Sequence, residues 1–109
     1  MQHTKFSNPA IKLPNRKIYA FCRHWKIAEL ALFGSVLTAE FNTDSDIDVL
    51  VTFAEGEQWS LFDLLHMQEQ LEEIFQRPVD LVERDAIRNP FRQRAISKNM
   101  QVIYAAQPA

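Results

Sequence analysis

The sequence predicts an α/β or α+β layer fold, a small β-sheet with flanking helices, on three observations. Apolar runs of strand length alternate along the chain with amphipathic segments of helix length. Turn residues punctuate the joins between them. Two carboxylates, Asp46 and Asp48, stand at alternate positions where an apolar run begins, so they share one strand face and gather at one end of the sheet.

Residues 1–14 read as a flexible N-terminal arm, with Asn8-Pro9 and Pro14 as turn signals and little apolar period. Residues 15–109 read as one domain. From Asn15 to about Trp25, Ile18, Phe21, Cys22 and Trp25 fall on one helical face. Ile27 to Phe33 is a short apolar strand that ends at Gly34-Ser35, and Asp46 to Phe53 is a second strand after a connecting loop. Leu61, Leu64, Leu65, Leu71, Ile74 and Phe75 recur at helical spacing, which predicts a helix over Ser60 to Gln76. Ser60 and Asp63 form a capping box with the shorter acid, and Arg77-Pro78 stops the helix. Val79-Asp80-Leu81-Val82 reads as a third strand, Asp85 to Asn99 as a helix interrupted or begun near Pro90, and Val102-Ile103-Tyr104 as a last strand.

Composition narrows the function. At 109 residues, with 47% hydrophobic and 24% charged residues, the chain has the balance of a soluble globular protein. No apolar run approaches the roughly 20 residues that span a bilayer, and the start has no secretory apolar segment. Cys22 is the only cysteine and has no disulfide partner within the chain, so a cytoplasmic location is expected. A net charge of −2 gives no basic excess, and direct nucleic-acid binding is not expected.

The most specific pattern is Gly34-Ser35, ten residues, then Asp46-Ile47-Asp48. A glycine at the end of a strand allows a tight turn, and a phosphate can then approach the Ser35 amide and hydroxyl. It is not a P-loop, since no Gly-Lys-Ser or Gly-Lys-Thr follows. Two same-facing carboxylates supply hard oxygen ligands for one or two magnesium ions. A calcium loop over Asp44, Asp46, Asp48 and Glu55 fails at Val49, where that loop needs glycine. A strand entered through solvated acids that merely resist edge pairing would carry the same two residues. Asp80, flanked by Val79 and Leu81, joins the Asp46 and Asp48 face if its strand lies beside theirs. A cation would then neutralise three crowded carboxylates.

His3, His24 and His66 lack ligand spacing, and Cys22 reads as a small core residue. Trp25 and Trp59 read as core, with Trp59 also placed to pack near a bound base or partner.

At these residues the chain resembles the minimal nucleotidyltransferases of the DNA polymerase beta superfamily, from Ile27 to Tyr104. The signature is met by Gly34, Ser35, Asp46 and Asp48. Val79-Asp80-Leu81-Val82 is similar to the family's third acidic strand, and Arg88-Asn89-Pro90-Phe91-Arg92 with Val102-Ile103-Tyr104-Ala105 to its usual ending. The resemblance implies a mixed sheet in a polymerase beta palm-like fold. It implies nucleotide binding by Gly34 and Ser35, and Asp46, Asp48 and Asp80 as catalytic and magnesium-binding acids, with ATP as substrate. It also implies an antitoxin that transfers AMP to a tyrosine of a HEPN-domain toxin. An antitoxin acting by binding alone and a small-molecule nucleotidyltransferase stay open, as does a homo-oligomer. One departure stands out: relatives commonly carry arginine in the loop after Gly-Ser, whereas Val36-Leu37-Thr38-Ala39-Glu40 has no basic residue and Thr38 takes the arginine's place. Arg92, Arg94 and Lys98 are the candidate substitutes.

Overall fold

The computed structural model describes residues 13–38 and 45–106; all of the arm but Leu13 and Pro14 lies outside them. The first helix, α1 (Asn15–His24), buries Ile18, Phe21 and Cys22 and carries Arg23 and His24 in its last turn, where cations favour the helix dipole. Lys26, at φ 53°, turns the chain into β1 (Ile27–Phe33). A 3-10 turn over Gly34–Leu37 follows, then β2 (Ile47–Phe53). Next come α2 (Leu61–Phe75) and β3 (Val79–Glu83). After a 3-10 turn at Arg84–Ala86, α3 (Pro90–Lys98) leads to β4 (Gln101–Ala105).

The four strands form one sheet in the order β3-β2-β1-β4. β1 pairs antiparallel with β2 and β4, and β2 pairs parallel with β3. The sheet is therefore mixed, as the resemblance implied. A parallel pair needs a crossover, and α2 supplies it.

Alternation along the strands divides the core between two faces. Leu30 and Leu32 of β1, Val49 and Val51 of β2, and Val79 of β3 pack against α1 and α2 in the larger cluster. Ala31 and Leu50 face the other way and pack against Ile87 and Ile96, with Val82 and Phe33 beside them, so α3 covers part of the second face. Among the described residues no helix is long and apolar enough to cross a membrane.

Two details of the helices are set by packing and capping. In α2 the buried residues are Met67, Leu71 and Phe75, whereas Leu61 is 71% and Leu65 50% exposed. At 100° per residue the Met67-Leu71-Phe75 ridge aims at the sheet, and Leu61 and Leu65 lie well round the helix from it. Within Asp85 to Asn99 the helix begins at Pro90, one of the two forms the sequence allowed, and Asn89 caps it by accepting from the Phe91 and Arg92 amides at 2.9 and 3.2 Å. Pro90 has no amide to lose at that position. The α2 capping box is present, Ser60 Oγ accepting from the Asp63 amide at 3.1 Å and Asp63 Oδ2 from the Ser60 amide at 3.0 Å.

The buried face of α2 sets an expected contrast. Leu71→Ala should cost about 2–5 kcal/mol of stability, and Leu61→Ala should stay within about 0.5 kcal/mol of the native protein. Urea unfolding of both variants measures the difference, and equal losses would contradict the orientation of α2.

Candidate active site

The acids meet where β2 begins. Asp48 lies directly opposite Asp80 in the parallel β2–β3 ladder and opposite Phe33 on the other side. Residues paired across adjacent strands project to the same face. Leu50, two residues on, shows which face this is, for it packs with Ala31, Ile87 and Ile96. The Asp48 and Asp80 side chains therefore stand on the α3 side of the sheet, in the part beyond its apolar cover. Asp46 and Asp80 are exposed and Asp48 is half-buried.

The backbone leading into this strand is tied down by its neighbour. The Ile47 amide donates to the Pro78 carbonyl at 3.0 Å, and Arg77 Nη1 donates to the Ser45 carbonyl at 3.1 Å. The two bonds hold both ends of the Asp46 peptide against the start of β3, so the first acid is positioned by the same crossover that brings in Asp80.

Gly34 closes the other side. Its φ of 77° is in the left-handed region, which favours glycine. A Cβ built there would collide with Asp48 Oδ2, so the turn backbone lies directly against this carboxylate. Two independent constraints thus demand glycine at one position. The chain then winds through the 3-10 turn with Val36 buried at 1% exposure as its anchor. Thr38 closes the turn, its amide and hydroxyl both donating to the Ser35 carbonyl at 2.9 and 2.8 Å. That is a local structural role for the residue standing where arginine is frequent.

The electrostatics record the crowding. Burial, then the charges of Asp80 and Asp46, push the Asp48 carboxyl above its ordinary value, and Arg92 opposes them. Hard oxygen donors on one open face fit magnesium, which keeps water and takes substrate phosphates in its remaining positions. Among the described residues no three His, Cys, Asp or Glu side chains stand close enough together to hold a metal ion by themselves. The acids are a shared-face cluster rather than a cage.

The structure thus brings together Gly34, Ser35, Asp46, Asp48 and Asp80 at one end of the sheet. It does not bring in the other candidates. His24 and His66 are exposed, and His3 lies outside the described residues. Burial raises the Cys22 thiol to about 12, which suits a core residue and not a nucleophile. Trp59 packs edge-on to Trp25 with centroids 5.1 Å apart, in the cluster on the opposite face from the acids, so it is not at hand for a base bound there. Arg92 is the residue sequence reasoning could name but not place. Its signal was its spacing: Ile96, one turn later, is buried against the acid-bearing face, and residues four apart share a helix face.

This arrangement of sheet, turn and acids defines a nucleotidyltransferase. Residues 15–103 match the model of the nucleotidyltransferase domain, and the chain belongs to that family, among its minimal members. A Methanocaldococcus jannaschii protein, itself assigned by prediction as a protein adenylyltransferase, is 36% identical over 76 residues, covering 70% of this chain and 76% of its own length. A toxin–antitoxin complex solved with AMP-PNP contains a chain that superposes with a TM-score of 0.70 at 21% identity, covering 87% of this chain and 76% of that one. A complex of a tri-AMPylated Shewanella oneidensis HEPN toxin with its MNT antitoxin contains a chain matching with a TM-score of 0.62 at 19% identity, covering 85% of this chain and 71% of that one. At these identities the two structures share the fold.

Two substitutions test this geometry. Gly34→Ala should destabilise the fold by at least about 1 kcal/mol, from the left-handed backbone alone, and should also displace Asp48. Thermal unfolding and a crystal structure of the variant check both effects. Asp48→Asn should raise the melting temperature at neutral pH in metal-free buffer. The folded carboxyl binds its proton more tightly than the unfolded one, so the native protein loses stability as pH rises from the ordinary carboxylate range through the raised folded value. Removing the charge removes that loss, and the advantage should vanish when pH falls below the ordinary carboxylate range. An advantage that persists in acid would mean that the introduced amide stabilises by another route.

Proposed function

We propose that this chain is an antitoxin that transfers AMP from ATP to a hydroxyl, a tyrosine of a HEPN-type toxin in the cytoplasm, in a magnesium-dependent reaction. The observation that carries the proposal is the convergence of Asp46, Asp48 and Asp80 on one open sheet face with the Gly34 backbone pressed against Asp48. The adenylyltransferase assignment of the relative and the AMP-bearing toxin beside the structural neighbour support the choice of reaction and partner.

When bound, magnesium would neutralise triphosphate charge and help align the attacking and leaving oxygens. Asp46 and Asp48 would hold it, one on each side of the buried Ile47 that anchors the strand. The Ser35 amide and hydroxyl would take phosphate oxygens, in the turn whose Gly34 backbone lies against Asp48. Asp80, exposed and in register with Asp48, would accept the proton of the incoming hydroxyl or complete the ligand set. The hydroxyl oxygen forms a bond to the α-phosphorus in line as the bond to the pyrophosphate oxygen breaks. Asp46 and Asp80 are exposed, so the reacting end lies on the open surface, as a protein-borne hydroxyl requires.

The test uses the chain with ATP, magnesium and a HEPN-domain toxin. Intact-mass spectrometry should show an AMP adduct on the toxin, placed on tyrosine by fragmentation. Asp80→Asn should lose the transfer and keep most ATP binding in calorimetry, whereas the double variant Asp46→Asn, Asp48→Asn should lose metal-dependent ATP binding while staying folded. A toxin that stays unmodified yet is inhibited equally by the native chain and by Asp80→Asn would establish an antitoxin that acts by binding alone.

A further inference from the structure

The loop after Gly34-Ser35 has no cation for the phosphates, yet a triphosphate needs positive charge beyond one metal ion. We propose that Arg92 of α3 supplies it, taking the place of the missing loop arginine and binding the polyphosphate of the nucleotide opposite Ser35. The inference rests on the nucleotidyltransferase reading and adds to it a phosphate-binding residue on a different element from the family's signature.

The geometry comes from how α3 lies on the sheet. Ile96 and Leu50 belong to one buried cluster. One helical turn back from Ile96 is Arg92, a step of roughly 6 Å, and two strand residues back from Leu50 is Asp48, a step of between about 6 and 7 Å. Arg84, bonded to both Glu29 and Ser97, ties the last turn of α3 toward the end of the sheet away from the acids, since Glu29 pairs with Thr52 there, so the earlier turn that carries Arg92 lies toward the acid-bearing end.

Two other arginines are engaged elsewhere. Arg84 bonds Glu29 at 3.1 Å and Ser97 at 3.3 Å, and Arg77 bonds the Ser45 carbonyl. The first amides of α3 cannot serve as the anion site, because the Asn89 side chain already accepts from those of Phe91 and Arg92. Of the cations on this helix, Arg92 lies one turn before the buried Ile96 and so shares its face, whereas Arg94 and Lys98 are two residues from Ile96 and point elsewhere; the planar fork of Arg92 suits two phosphate oxygens at once.

Calorimetric titration of the chain with magnesium-ATP and with magnesium-AMP tests the proposal. Arg92→Ala should weaken ATP binding roughly tenfold or more and AMP binding far less, since AMP lacks the outer phosphates. Arg92→Lys should recover part of the loss. Thr38→Arg should add little to the native chain but restore ATP binding to Arg92→Ala, which a merely structural role for Arg92 would not predict. Circular dichroism confirms that each variant is folded. Unchanged ATP affinity in Arg92→Ala, with the Asp46 and Asp48 double variant still failing to bind, overturns this inference and leaves the nucleotidyltransferase reading intact. Tighter binding in Arg92→Ala also overturns it, by showing Arg92 to be a counter-ion that the metal must displace. A native chain that binds no ATP overturns the inference and the reading together.

Discussion

The parallel pairing of β2 with β3 is the constraint on which the site depends. It sets Asp48 beside Asp80 in a fixed register, a juxtaposition of like charges that is unfavourable in itself. Parallel neighbours cannot be joined by a tight turn, so α2 must span the length of the pair and return the chain to the starting end. Its buried ridge of Met67, Leu71 and Phe75 provides the hydrophobic stabilisation that holds the register against the repulsion. The short link that follows places Arg77 and Pro78 where each supports the start of β2. The acids are therefore held by the crossover behind the sheet and not by contacts among themselves.

A second constraint acts from the opposite strand. β1 ends at Phe33, paired with Asp48, and the next residue must turn away at once while its backbone stays against the carboxylate. Only glycine satisfies both the positive φ and the lack of space. The site thus carries two features that a fold selected for stability alone would avoid, a left-handed turn packed on a carboxylate and a half-buried acid with its proton affinity raised by burial and by its acidic neighbours. Local rules of good folding are broken together in one place, and such coincidences mark function.

Much of this was legible in the residues. The β1 boundaries, the capping box at Ser60 and the alternation of Asp46, Ile47 and Asp48 are local signals, set by period and by turn chemistry within a few residues. That Asp80 shares their face was legible only conditionally, because it depends on which strand β3 pairs with, and pairing is decided by tertiary packing. The buried face of α2 was not legible for a related reason. Leu61, Leu65 and Leu71 all fit a helical period, and only the sheet beneath decides which apolar stripe is buried. The 3-10 character of Gly34–Leu37 and the role of Thr38 in closing it had no sequence signal beyond the glycine. Arg92 could be named as a cation near the end of the chain, but its place over the acids needed the docking of Ile96 on Leu50.

The location of positive charge follows from that docking. A loop arginine after Gly-Ser would approach the phosphates from the β1 side, on the segment that also forms the turn. Here that segment is used differently: Val36 is buried beneath it and the Thr38 hydroxyl bonds back to Ser35, so the turn is stabilised by its own contacts. A cation on α3 approaches from across the sheet, on a helix anchored by Ile96 and capped by Asn89. The turn already bears on the Asp48 carboxylate through the Gly34 backbone, so a change of side chain there risks disturbing the acid, whereas α3 reaches the same end of the sheet through its own apolar anchor.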